Sequence, residues 1–121
     1  MKLAVVGSRG FNDYELLKLK LDTIHAVKPI SLIVSGGAKG ADTLAERWAK
    51  ENDIPIKIFY PDWDKYKKSA GYIRNVDIIE FSDAVIAFWD GVSKGTLHSI
   101  NLSKEKDKRL AIIKYESNNH S

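Results

Sequence analysis

The sequence has no cysteine among its 121 residues, which excludes disulfide staples and thiolate metal sites. No stretch approaches the roughly 20 apolar residues that a membrane-spanning helix needs. The apolar run Leu3–Val6 is too short for a signal-peptide core and reads as a strand. Histidine is scarce: His25, His98 and His120 have no second histidine or carboxylate at ligand spacing, so no metal site is expected. The Gly-x-Ser-x-Gly elbow, the Walker spacing and the Gly-x-Gly-x-x-Gly fingerprint are all missing. Charge of one sign is in small excess, a formal +3, and the runs Lys65–Lys68 and Lys104–Arg109 read as solvated faces. A cytoplasmic chain without a membrane partner is the expectation, and charge alone argues against a nucleic-acid groove.

What is present describes a folded domain. A hydrophobic share of 44% accompanies 29% charged residues, and a chain of this length buries roughly 65–70% of its unfolded surface. One domain is expected over residues 1–115, followed by a polar tail, 116–121. Short apolar runs at Leu3–Val6, Leu32–Val34, Ile56–Phe59, Ala84–Phe88 and Leu110–Ile113 suit strands buried on both faces. Helical spacing separates them. Asn12 and Glu15 resemble a capping pair before Leu17, Leu21 and Ile24, and Ala41, Leu44, Ala45, Trp48 and Ala49 form the clearest stripe. Tyr72, Ile73, Val76 and Ile79 make a third, and Leu97 with Ile100 suggests a shorter fourth helix. The alternation predicts an α/β, three-layer Rossmann-like domain with a five-stranded parallel sheet, and the order 3-2-1-4-5 is expected for it because ligands of such sheets bind at a topological switch point. That order puts a topological switch point between strands 1 and 4.

Three glycine-bearing turns follow strand ends and are expected on one rim. The first holds Ser35, Gly36, Gly37, Ala38, Lys39, Gly40 and Asp42, ahead of the best helix. Its glycines permit close backbone approach, and the helix start directs unpaired N–H groups and a positive dipole end at the same space, which suits phosphate. A plain turn with Asp42 as a favourable first-turn charge is the alternative. After strand 1 come Gly7, Ser8, Arg9 and Phe11, where Arg9 offers a planar fork to phosphate or carboxylate. After strand 4 come Asp90, Gly91, Ser93, Gly95 and Thr96, with hydroxyls that donate to phosphate and a carboxylate that accepts from ribose or positions water. Arg74 and Asn75 lie near the start of the third helix, either as pocket residues or with Arg74 paired to a carboxylate. In Tyr60–Tyr66, Trp63 or Tyr66 could stack a base, but loop aromatics more often serve as anchors, and that is the expectation.

Taken together, the Gly-Ser-Arg-Gly-Phe, Ser-Gly-Gly-Ala-Lys-Gly-Ala-Asp, Gly-Tyr-Ile-Arg-Asn and Trp-Asp-Gly-Val-Ser-Lys-Gly-Thr motifs resemble the SLOG superfamily of Rossmann-like domains, in its YspA-like (YpsA-related) branch. The resemblance runs from Leu3 to about Ile113. It implies a nucleotide-related ligand, such as one related to ADP-ribose, bound by the Gly-rich turn with polar contacts from Arg9, Arg74 and Asn75. In phosphoribohydrolase members a glutamate is catalytic; Ser99 stands at that place, and serine cannot act as a carboxylate. Likeness to the DNA-processing members is confined to two turns, which lowers the weight of single-strand binding.

The leading expectation is therefore binding of a phosphate-bearing nucleotide or derivative as a small-molecule partner, with nucleic acid disfavoured. The rival is a hydrolase cleaving an N-glycosidic or phosphoester bond with Asp42 or Asp90 as its catalytic carboxylate. Single-strand binding through Lys65–Lys68 is third. No cofactor is required by these motifs, and the sequence leaves magnesium open. A homodimer is the expected assembly, because isologous pairs are the commonest oligomers.

Overall fold

The five apolar runs form the five strands of a parallel sheet in a computed structural model that describes residues 1–116. They are β1 (Lys2–Gly7), β2 (Leu32–Ser35), β3 (Ile56–Ile58), β4 (Ala84–Trp89) and β5 (Arg109–Lys114). The order is β3-β2-β1-β4-β5, the one expected for its switch point. The helices are α1 (Tyr14–Val27), α2 (Ala41–Glu51), the single turn α3 (Trp63–Tyr66), α4 (Ala70–Phe81) and α5 (Lys94–Glu105). Apart from Glu116, the expected polar tail lies outside the described residues. Among the described residues no helix is long and apolar enough to cross a membrane.

Alternate residues of each central strand serve opposite cores. Leu3, Val5, Ile33, Ile86 and Phe88 meet Leu17 and Leu21 of α1 and Ala45 and Trp48 of α2. From the other face Ala4, Val6, Val34, Val85 and Ala87 meet Ile78 and Ile79 of α4 and Ile100 and Leu102 of α5. Burying each large side chain of this kind contributes about 1.5–3 kcal/mol. Trp48, wholly buried, still satisfies its indole N–H by donating to Asp22 at 2.9 Å.

Three local expectations change. The cap of α1 is Asp13, whose carboxylate accepts from Leu16 N at 3.1 Å, and Asn12 lies one residue too early. On α4 the buried face carries Ala70, Asn75, Ile78 and Ile79, while Tyr72 turns outward. Helix α5 is 12 residues long rather than short. Its buried face is mostly Thr96, Ser99, Ile100 and Ser103, and small polar residues leave little apolar periodicity to read. Ser103 returns its hydroxyl to Ser99 O at 2.8 Å, so that face stays satisfied.

Neighbouring β1 and β4 send their chains to opposite faces, β1 toward α1 and β4 toward α5. The two strands stay paired to Gly7 and Phe88, and the connections beyond them diverge to open a crevice at the switch point.

Candidate functional site

The turn after β2 folds onto its own side chains. Asp42, in the first turn of α2, reaches back so that its Oδ2 accepts from Gly36 N at 3.1 Å and from Ala38 N at 3.2 Å. Gly37 N donates to Ser35 Oγ at 3.1 Å. Gly40 makes the bend possible: its φ is +84°, and a Cβ there would stand 2.3 Å from Ser8 O. Burial pushes the Asp42 carboxyl up to about 6, against the lowering pull of the Ala38 and Gly36 amides and of Arg74.

The turn after β4 is organised differently. Asp90 Oδ1 accepts from Val92 N at 2.9 Å and Ser93 N at 2.8 Å, and its Oδ2 accepts from Ser93 Oγ at 2.8 Å. Burial pulls Asp90 upward, but these donors, with Ser8, hold it below the usual carboxylate range. Asp90 N donates to the buried Ser8 hydroxyl at 3.3 Å, which ties this turn to the one after β1. Ser93 is the N-cap of α5, yet its side chain makes no cap bond. The first amides of α5, at Lys94, Gly95 and Thr96, meet no protein acceptor among the described residues.

Between these turns lies a cavity of about 450 Å³ that also receives two guanidinium groups. Arg74 donates through Nη1 to Gly36 O at 2.7 Å and through Nε to Asn75 Oδ1 at 3.0 Å, and its remaining N–H groups stay open. Asn75 Nδ2 must then donate to His98 Nδ1, 3.3 Å away, so His98 is neutral with its proton on Nε2. Burial holds that imidazole below its usual range, against the opposite pull of Glu105. Arg9 is exposed, and among the described residues neither arginine forms an ion pair. Arg74 is held below the ordinary guanidinium range by its burial and by the charge of Arg9, with Asp42 pulling the other way.

Of the residues singled out in the sequence, Gly7, Ser8, Arg9, Gly36, Ala38 and Asp42 reach the cavity, as do Arg74, Asn75, Ser93, Gly95 and Thr96. Gly37 lines an adjoining one. Phe11 does not reach either; it belongs to the core, stacked on Phe88 with centroids 4.7 Å apart. Ser35, Lys39, Gly40, Asp90 and Gly91 line neither cavity. Ser99 lies on the floor, so the place of the glutamate in phosphoribohydrolase relatives does face the cavity, without a carboxylate. Sequence reasoning missed Lys94, which the Asp90–Thr96 motif contained, and His98, for which no local pattern speaks. It also assigned the loop aromatics to anchoring, whereas Tyr60 and Trp63 line the adjoining cavity and are exposed, joined there by Tyr72 of α4.

Comparison with known proteins follows the same lines. The family model described as "YspA, cpYpsA-related SLOG family" matches residues 1–66. The Gene 61 protein of Mycobacterium phage D29 is 32% identical over 104 residues, covering 80% of this chain and 83% of that protein. Among solved structures, DNA processing protein A from Helicobacter pylori, described for its single-stranded DNA binding mode, matches with a TM-score of 0.73 and 23% identity, over 98% of this chain and 67% of that one. DprA from Streptococcus pneumoniae matches at 0.74 and 21%, over 98% of this chain and 52% of its own, about half its length. At these identities the likeness is one of fold. It nonetheless corrects the expectation against nucleic acid: the same fold occurs in DNA processing proteins, one of them described binding a single strand, and mild net charge was too coarse a measure to exclude that partner. By its family match and its phage relative, the chain belongs to the YspA, cpYpsA-related SLOG family.

Proposed function

We propose that this domain binds a phosphate-bearing nucleotide or nucleotide derivative, of the ADP-ribose type or simpler, with the phosphate among Arg9, Arg74 and the start of α5. One observation carries the reading: two guanidinium groups that oppose each other's charge face one cavity, with no ion pair among the described residues. Like charges held together cost free energy, and an anion that forks between them removes that cost. The uncapped amides of α5 add donors and the positive end of a helix dipole. Thermal unfolding in the presence of inorganic pyrophosphate, AMP and ADP-ribose tests it. Ligand at 100 times its dissociation constant should add about 2.7 kcal/mol, and Arg74→Gln should abolish most of the shift. Equal shifts in wild type and Arg74→Gln, or none in either, would sink the proposal. Recovery of intact ligand separates binding from cleavage, the reading in which Asp42, near its titration midpoint in a mildly acidic medium, serves as the carboxyl group.

A second reading is single-stranded nucleic acid, favoured by the fold neighbours and by the two cavities lying side by side with Lys68 in the outer one. Phosphate contacts make such binding salt-sensitive. A labelled oligonucleotide that binds with no dependence on salt, or not at all, removes it.

A further inference from the structure

The adjoining cavity measures about 430 Å³ and shares Arg9, Arg74, Asn75 and Gly95 with the phosphate basin. Its outer wall is aromatic: Tyr60, Trp63 and Tyr72, with Lys68 at the edge. Rings that anchor a loop are covered by the domain they pin down. These are not, for Tyr60 is 71% exposed, Trp63 54% and Tyr72 48%. Each is nevertheless backed on one side. Tyr60 rests against Gly37, where a Cβ would come within 3.0 Å of the ring. The Trp63 indole passes over Gly71 in the first turn of α4, 3.9 Å from where a Cβ would stand. Tyr72 meets the His98 imidazole edge to face, centroids 4.5 Å apart at 69°. Asp62 caps the single turn α3 that carries Trp63, accepting from Lys65 N at 3.1 Å.

Flat rings, supported from behind and uncovered in front, suit a flat partner. Their common wall with two cations requires that partner to be tethered to an anion. A nucleobase meets both conditions, whereas an apolar peptide meets only the first. We infer that Tyr60, Trp63 and Tyr72 form the base-binding subsite of this domain, stacking the nucleobase whose phosphate lies in the basin between Arg9 and Arg74. This inference rests on the nucleotide reading above. Stacking tolerates any base, because every base has a π-face. The shelf therefore selects for the presence of a base and leaves its identity to overlap area.

Calorimetric titration of the full chain with ribose 5-phosphate, AMP and a short oligothymidylate separates the two cavities. Ribose 5-phosphate reads the basin alone. AMP should bind about tenfold or more tightly than ribose 5-phosphate, the range that base–aromatic stacking supplies. Trp63→Ala and Tyr60→Ala should each reduce that advantage and leave ribose 5-phosphate unchanged, while Trp63→Phe keeps it. Both side chains are exposed, so the variants should unfold at the wild-type temperature. AMP should also quench the emission of wild type but not that of Trp63→Phe. Equal affinities for AMP and ribose 5-phosphate in wild type, or equal losses of both in Trp63→Ala, overturn the shelf while leaving the basin intact; the rings would then await another occupant, such as a protein. Failure of both compounds to bind overturns the basin and the shelf with it. Tighter, salt-sensitive binding of the oligothymidylate supports a base presented by a strand, and preference for AMP supports a free nucleotide.

Discussion

Two turns leave the same rim of the sheet, and each gives its loop amides to an aspartate that stands in a different place. The turn after β2 is the richer in glycine, yet Gly36, Gly37 and Ala38 have given their N–H groups to Asp42 and Ser35. The turn after β4 has fewer glycines, and Asp90 takes Val92 and Ser93. The first amides of α2 and of α5 alike meet no acceptor among the described residues, but α2 starts at the buried Ala41, whereas Lys94, Gly95 and Thr96 line the cavity. The difference lies in where the carboxylate stands. Inside the first turn it folds back on the loop; ahead of the helix it fixes the loop and faces away. Glycine count measures how tightly a backbone can bend, whereas anion binding depends on which open donors face the cavity.

The comparison breaks most severely at Gly40. Alanine there would have to adopt a φ of +84° with its Cβ 2.3 Å from Ser8 O and 2.7 Å from Arg9 O. Strain and clash together should cost about 3 kcal/mol. The matched change Gly95→Ala meets nothing within 4 Å and should stabilise α5 by about 0.5–1 kcal/mol. Urea denaturation compares the pair, and similar midpoints would remove the distinction between a strained turn and a relaxed one.

Next in size is the pH response of the self-clamped turn. The Asp42 carboxyl titrates at about 6 in the folded chain, above its ordinary 3.8, so the folded state holds the proton more tightly than the unfolded one. Its contribution to stability is complete below the ordinary value and is lost as pH rises through 6. Asp42→Asn keeps an acceptor for Gly36 and Ala38 and does not titrate. The variant should gain on wild type between pH 4 and pH 7, by about 3 kcal/mol if the whole shift is expressed. A stability difference that stays constant across that interval contradicts the burial of an ionisable clamp.

The smallest effect sharpens the open turn. Proline is tolerated at the first position of a helix, and Ser93 before it already has extended backbone, φ −64° and ψ 120°. Lys94→Pro should leave α5 folded while removing one amide donor from the basin. Phosphate affinity should fall about threefold to tenfold below that of Lys94→Ala, the worth of one hydrogen bond. Equal affinities in the two variants would mean that the amide of residue 94 does not touch the anion.

Much of the fold was legible because apolar runs and their alternation with helical stripes are one-dimensional signals. The faces of α4 and α5 were not, since Asn75, Thr96, Ser99 and Ser103 fill buried positions with polar groups, Asn75 meeting His98 of α5 and Ser103 the backbone of Ser99. The site divides in the same way. Arg9 and Arg74 were visible as cations in motifs; that they share a cavity is a consequence of strand order. The aromatics between β3 and α4 were visible as well, but whether they are covered depends on what lies opposite.

The sequence by itself determined the parallel sheet, the helices between its strands, the turns that carry the site and the family to which the chain belongs, because hydrophobic period and turn chemistry are local properties. Only the tertiary structure decided which helix start lines the cavity. Asp42 and Asp90 are the same residue type in similar glycine-bearing turns, and what separates them is the direction in which each carboxylate is held once its helix has packed. That direction is a three-dimensional property, and so is the meeting of Arg9, Arg74 and the start of α5 at one cavity.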